Sequence, residues 1–195
     1  MDGMMRMRGP WISCLLWTTI FAVSLSLLGS QSHASPQSAM VSAASIVKPH
    51  VYVSLQPVPR GKEFQVAIVA EIARGYHVNS HKPTDAYLIP TTVTPQLPAG
   101  FQLLDTIYPD GKLETFAFSP DKPLDVYSAS VTLRLRLAAQ ADAALGPVTI
   151  PLTLRYQACS ESTCLPPVKV PVNVKLDVAD ANATARPLHP EIFMK

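Results

Sequence analysis

Charge is scarce in this sequence. Asp, Glu, Lys and Arg make up 15% of the 195 residues, and 16 basic side chains face 14 acidic ones. A net charge of +2 supplies no polyelectrolyte field, which excludes a nucleic-acid role. Glycine is sparse at 8 residues and cysteine at 3. No internal repeat occurs. The G-x-S-x-G elbow is missing, so hydrolase chemistry lacks a nucleophile–base pairing. Helical alternation with strands, which a copper carrier with a close Cys pair would show, is absent too. Long helices are excluded by an excess: 19 prolines, each removing a backbone donor. What remains is 48% hydrophobic, enough to argue against disorder. The length suits one domain with tails, large enough to bury a core without staples.

One long apolar run stands out. Trp11–Leu28 carries no charge, follows Arg6 and Arg8, and leads to Ser32-His33-Ala34. A basic start, an apolar middle and a small-x-small site predict a signal peptide over residues 1–34. The alternative is an uncleaved anchor, since a run of about 18 residues nears the spanning minimum. Five hydroxyl residues within the run (Ser13, Thr18, Thr19, Ser24, Ser26) weigh against a permanent span. Either way the remainder is exported, because the positive end stays inside. Cys14 departs with the signal, leaving Cys159 and Cys164 in an oxidising compartment.

After a polar leader (residues 35–47), period-two alternation dominates. Phe64, Val66, Ile68, Ala70 and Ile72 share one parity, as do Val131, Leu133, Leu135 and Leu137. Val148 to Tyr156 and Val168 to Val178 repeat the pattern on even positions. Each predicts a half-buried strand. Shorter candidates are 50–56, 76–81, 88–94 and 101–108. Turn signals separate them at Pro59-Arg60-Gly61, Pro98-Ala99-Gly100, Pro109-Asp110-Gly111 and Gly146-Pro147. The expected fold is all-β, an immunoglobulin-like antiparallel sandwich over residues 48–178. Pro151 and Pro171 fall on outward parity and predict an edge or an irregularity there. Residues 179–195 read as a flexible tail.

Cys159 and Cys164 flank four residues between the last two strong strands. Opposite, non-hydrogen-bonded ladder positions lie about 4.5 Å apart at Cα, so a disulfide is geometrically reasonable. Its purpose stays open at this level. A staple closing so short a ring contributes on the order of 2 kcal/mol, and immunoglobulin-type staples cross the core instead. Parity adds an expectation. Paired residues share a face, and both flanking strands bury even positions, so paired numbers should sum to an even total. Cys159 and Cys164 sum to an odd one. The register must slip by one residue, and Leu165-Pro166-Pro167 is where a bulge would absorb it. A metal site of His77, His81, Cys159 and Cys164 is disfavoured, because the histidines would stand about 13 Å apart along a strand.

Gly75-Tyr76-His77-Val78-Asn79-Ser80-His81-Lys82-Pro83, Tyr87-Leu88-Ile89-Pro90, and Tyr156-Gln157-Ala158-Cys159 through Cys164-Leu165-Pro166-Pro167 resemble the N-terminal periplasmic domain of DsbD. DsbD is the membrane thiol:disulfide interchange protein of bacteria. The resemblance spans about Lys48 to Val178, and the Y-Q-x-C…C-x-P-P segment is its most specific part. It implies an immunoglobulin-like sandwich that shuttles electrons in the periplasm as a thiol-disulfide oxidoreductase component, without an organic cofactor. By motif, Cys164 resembles the cysteine that forms the mixed disulfide and Cys159 the one that resolves it. Implied partners are a separate transmembrane electron donor of DsbD or CcdA type and periplasmic thioredoxin-like proteins, among them disulfide isomerases and cytochrome c maturation factors. The family shields its cysteines with an aromatic cap loop, here within Asp105–Pro120, so Tyr108, Phe116 and Phe118 are the candidates. Tyr76 matches the family's Gly-Tyr position and is a candidate for lining the site. Well-known members space the cysteines by five residues rather than four. Glu161 in the loop does not favour a thiolate, and no Lys or Arg follows before Lys169. The rival reading is an exported binding or scaffold module whose disulfide is structural.

Overall fold

The alternating stretches are the long strands of the protein. The computed structural model describes residues 42–194; the signal expected over residues 1–34 lies outside the described residues. In chain order the elements are β1 (Val47–Val53), β2 (Leu55–Gln56), β3 (Val58–Pro59), β4 (Glu63–Ile72), β5 (His77–Asn79), β6 (Thr92–Pro95) and β7 (Phe101–Ile107). They continue with β8 (Lys112–Phe116), β9 (Ser119–Ser128), β10 (Ser130–Ala139), β11 (Gly146–Tyr156), β12 (Ala158–Cys159), β13 (Val168–Ala179), β14 (Arg186–Pro187) and a one-turn helix α1 (Pro190–Phe193). Among the described residues no helix is long and apolar enough to cross a membrane.

One sheet has the order β1-β4-β10-β7 and a second the order β3-β13-β11-β6. All pairings in these two sheets are antiparallel except the short β13–β3 contact. The expected even-numbered set of β4 and the odd-numbered set of β10 are buried, as are Ile150, Leu152, Leu154 and Tyr156 of β11 and Val172, Val174, Leu176 and Val178 of β13. These side chains merge into one apolar cluster between the sheets. This is the immunoglobulin-like sandwich that the alternation predicts.

The prolines sit where a missing donor is tolerated. The Pro151 carbonyl accepts from the Gln96 amide at 2.8 Å, so its nitrogen also faces β6, just past that strand's last residue. Pro171 belongs to the same class of non-bonded pairs, opposite Thr153. Its nitrogen therefore faces the outer side of β13, where β3 reaches only Val178 and Ala179.

A third sheet, β12-β5-β9-β8, is built from continuations of the sandwich strands. β4 turns through Gly75 (φ 80°) into β5, β9 runs into β10 across Ala129 (φ 60°), and β11 passes through Gln157 into β12. Strands β4, β10 and β11 of the two main sheets are thus continuous in chain with β5, β9 and β12 of this third sheet.

The stretch from Ala179, expected as a flexible end, carries pairing of its own. Arg186 and Pro187 pair with Gln56 and Leu55, the Leu188 amide donates to the Ser54 carbonyl at 2.8 Å, and Arg134 clasps the Ile192 carbonyl through Nε and Nη2 at 3.1 and 2.7 Å. Its partners are distant in sequence, which is why no local period announces them.

Candidate functional site

β12 carries Cys159, and a two-residue turn, Glu161-Ser162, returns the chain to Cys164. The Ser160 amide donates to the Thr163 carbonyl and the Leu165 amide to the Ala158 carbonyl, both at 2.8 Å. These bonds flank Cys159 and Cys164, which are therefore a non-hydrogen-bonded pair. Their Cα atoms lie 3.9 Å apart and the sulfurs form a disulfide.

The register slips as parity requires. Every β11–β13 partner pair up to Tyr156↔Val168 sums to an even number, whereas Cys159↔Cys164 does not. Two residues separate Tyr156 from Cys159 and three separate Cys164 from Val168, so the extra one lies in Leu165-Pro166-Pro167. Gln157 anchors the slip. Its side-chain oxygen accepts from Asn79 Nδ2 (3.2 Å) and from the Ile89 amide (3.3 Å), while its Nε2 donates to the Leu165 carbonyl (3.3 Å). One amide thereby ties the cysteine turn to β5 and to the loop before β6.

The two sulfurs differ in access. Cys159 is fully buried, yet it lies outside the main apolar cluster. Cys164 is half-buried, beside the exposed Thr163, Pro166 and Pro167.

On the ladder, Cys159 pairs with His77, and His77 pairs in turn with Ser128 of β9. Paired residues share a face, so the imidazole stands on the cysteine side of the sheet, while Val78 points into the sandwich core. Phe116 stacks on His77 with centroids 3.8 Å apart and planes 18° apart, and Phe118 stacks on Phe116 at 5.6 Å. Phe116 is buried with Leu88, Leu124 and Val126 in a small separate cluster, whereas Phe118 is 38% exposed. The β8–β9 hairpin thus folds its tip back over the site face. His77 is 3% exposed, and its Nε2 is buried with no hydrogen-bond partner. Burial lowers its pKa from 6.5 to about 4, so the ring is neutral at ordinary pH.

Of the residues singled out from sequence, Phe116 and Phe118 stack with His77, the ladder neighbour of Cys159. Tyr108 does not. Its ring stacks on His81 at 3.7 Å, its hydroxyl accepts from the Val93 amide at 3.0 Å, and it packs against the main core. Tyr76 also packs against that core, beside the β4–β5 turn. β5 begins one residue later, so His77 rather than Tyr76 takes the position opposite Cys159. His77 and His81 occupy different surroundings, and among the described residues no three His, Cys, Asp or Glu side chains gather as a metal set. Sequence reasoning considered His77 only for metal, and gave Asn79 and Gln157 no role. The available signal was polar residues alternating with Val78 in a short strand.

None of the curated proteins matches the chain. Among solved structures, it is similar to the reduced N-terminal domain of DsbD from Neisseria meningitidis, with 19% identity, 76% of this chain and 94% of that chain covered, and a TM-score of 0.44. A second is a complex between the DsbD N-terminal and PilB N-terminal domains from the same organism, with 19% identity, coverage of 63% and 80%, and a TM-score of 0.38. The family model for the N-terminal part of thiol:disulfide interchange protein DsbD matches residues 43–176. That span takes in both sheets of the sandwich, the folded-back hairpin and the cysteine turn. With most of its length matched and a disulfide at the turn where the motif places one, the chain belongs to the DsbD N-terminal domain family.

Proposed function

We propose that this protein exchanges disulfides with other proteins through Cys159 and Cys164. The unequal access of the pair carries the reading. One sulfur belongs to a half-buried residue on a surface turn and the other to a fully buried residue, and neither crosses the sandwich core as a staple would. An incoming thiolate attacks Sγ of Cys164 and forms a mixed disulfide; the Cys159–Cys164 bond breaks, and its electron pair leaves on Cys159. In reverse, Cys159 resolves the mixed disulfide and releases a reduced partner. Phe116 and Phe118 cap the face, limiting access by unselected thiols.

Family membership and the basic-then-apolar start of the chain support a working context. Residues 1–34 direct export to the periplasm, a transmembrane protein of DsbD or CcdA type supplies electrons, and thioredoxin-like proteins receive them, cytochrome c maturation factors among them. No organic cofactor is needed, because two thiols hold both electrons.

The test is trapping together with potential. Cys159→Ala should leave Cys164 able to hold a purified oxidised thioredoxin-like protein as a stable mixed disulfide. The wild-type pair should be more oxidising than about −300 mV. A lower potential, with no adduct on an accessible Cys164, would return the disulfide to a structural role.

A further inference from the structure

Resolution of a mixed disulfide needs a thiolate at Cys159, and the surroundings of that residue oppose one. Cys159 is fully buried, and burial disfavours a charged group that lacks a partner. The charged groups of the neighbouring elements do not offset this. β9 presents Leu124, Val126 and Ser128 on the His77 face. β8 presents Glu114, which accepts from Ser128 Oγ at 3.3 and 3.5 Å, and the exposed Lys112, which pairs with Val126. The turn contributes only the exposed Glu161.

His77 remains. It is the residue opposite Cys159, its ring is held by Phe116, and its Nε2 is buried without a partner while the cysteines are joined. A buried polar atom left unpaired is destabilising. A reduced Cys159 would carry, at the ladder position beside that ring, the hydrogen-bond donor that a disulfide lacks.

We propose that His77 is the proton acceptor for Cys159 in the resolving step, with Nε2 taking the thiol proton while Nδ1 carries the ring's own. The inference rests on the exchange reading above. Cys159 S–H transfers its proton to Nε2, and the sulfur's electron pair attacks Sγ of Cys164 in the mixed disulfide. The Cys159–Cys164 bond forms and the Cys164–partner bond breaks. The leaving pair resides on the partner's sulfur, which takes the proton back from the imidazolium. This protein is oxidised by two electrons and the partner is reduced by two. Burial keeps the ring neutral in the oxidised state; in the resolving step the thiolate formed beside it favours the imidazolium, because an adjacent opposite charge stabilises a charged histidine.

The test mixes reduced protein with glutathione disulfide and follows the Cys164–glutathione adduct by quenched mass spectrometry across mildly acidic to mildly alkaline pH. His77→Phe preserves the stack on Phe116 and removes the acceptor. Its adduct should form normally and resolve about 10²-fold more slowly near neutrality, with a rate rising with hydroxide where the wild-type rate is flat. Resolution at the wild-type rate and with the wild-type pH profile overturns the assignment. A second measurement needs no variant: the Nε2 resonance of His77 should shift on reduction of the wild-type protein, and an unmoved resonance also overturns it. If Cys159→Ala forms no adduct with glutathione disulfide at all, the exchange reading falls and this inference falls with it. Adduct formation with unaltered resolution in His77→Phe removes only the role of His77.

Discussion

The two ends of this molecule are built on different terms. The sandwich body uses ladders of ten to twelve residues in β4, β10, β11 and β13, with aliphatic side chains filling the space between sheets. The cysteine end sets strands of two and three residues, β12 and β5, against the ten-residue β9, with a four-residue apolar cluster that includes Phe116. The buried polar residues His77, Asn79, Ser80 and Thr91 all fall in one stretch at that end. Burial of apolar surface is the main source of stability, and buried polar groups are costly unless paired. The body therefore supplies the free energy of folding, and the cysteine end draws on it to hold polar groups in fixed positions.

That division can be broken most forcefully from the body. Leu133→Ala empties a fully buried site between the sheets and should cost about 2–5 kcal/mol in urea unfolding. Reactivity of the native disulfide toward a small thiol should stay unchanged. If it rises in step with the lost stability, the two ends are not separate.

The next effect is a pH dependence localised to the cysteine end. The unfolded chain binds the His77 proton near pH 6.5, and the folded protein does so only near 4. Stability should be complete above that window, decline as pH falls through it, and level off below about 4. The loss reaches up to about 3 kcal/mol. Denaturant melts across the window should show the decline in wild type and not in His77→Phe.

Gln157→Ala removes the acceptor for Asn79 Nδ2 and the Ile89 amide, and the donor to the Leu165 carbonyl. A cost of about 1–3 kcal/mol is expected, with faster reduction of the disulfide by dithiothreitol because the turn is untied. An unchanged reduction rate would show that the turn is held by its own backbone bonds. The smallest effect is expected from Tyr156→Phe. It deletes the hydroxyl, which donates to the Ala43 carbonyl at 2.8 Å and is also hydrogen-bonded to the Val47 backbone; a cost of about 1 kcal/mol in thermal unfolding is expected, with the cysteines untouched.

The same contrast explains what could be read from the amino acids alone. Long half-buried strands declare themselves through parity, so Phe64–Ile72 and Val131–Leu137 identify the body directly. Parity also located the slip at Leu165-Pro166-Pro167, since two even-facing strands cannot place Cys159 opposite Cys164 without one. β8 and β9 gave no such signal. Asp121, Lys122 and Pro123 interrupt any period, and the hairpin is held by contacts distant in sequence. These include Thr84 Oγ1 to the Pro123 carbonyl, the Lys122–Asp85 ion pair, and Phe116 on His77. Tyr76 drew attention through the family's Gly-Tyr position. The choice between it and His77 depended on where β5 starts, and a three-residue strand is too short to show that in sequence.

The extra residue in Leu165-Pro166-Pro167 works as a phase shifter between two independent ladders. Deleting one proline would bring β11 and β13 into step through both cysteines. The turn would then zip into a plain hairpin extending the second sheet, and β12 would lose its reason to lie against β5. A single codon thus separates a sulfur pair facing an imidazole from one pinned at the end of a ribbon.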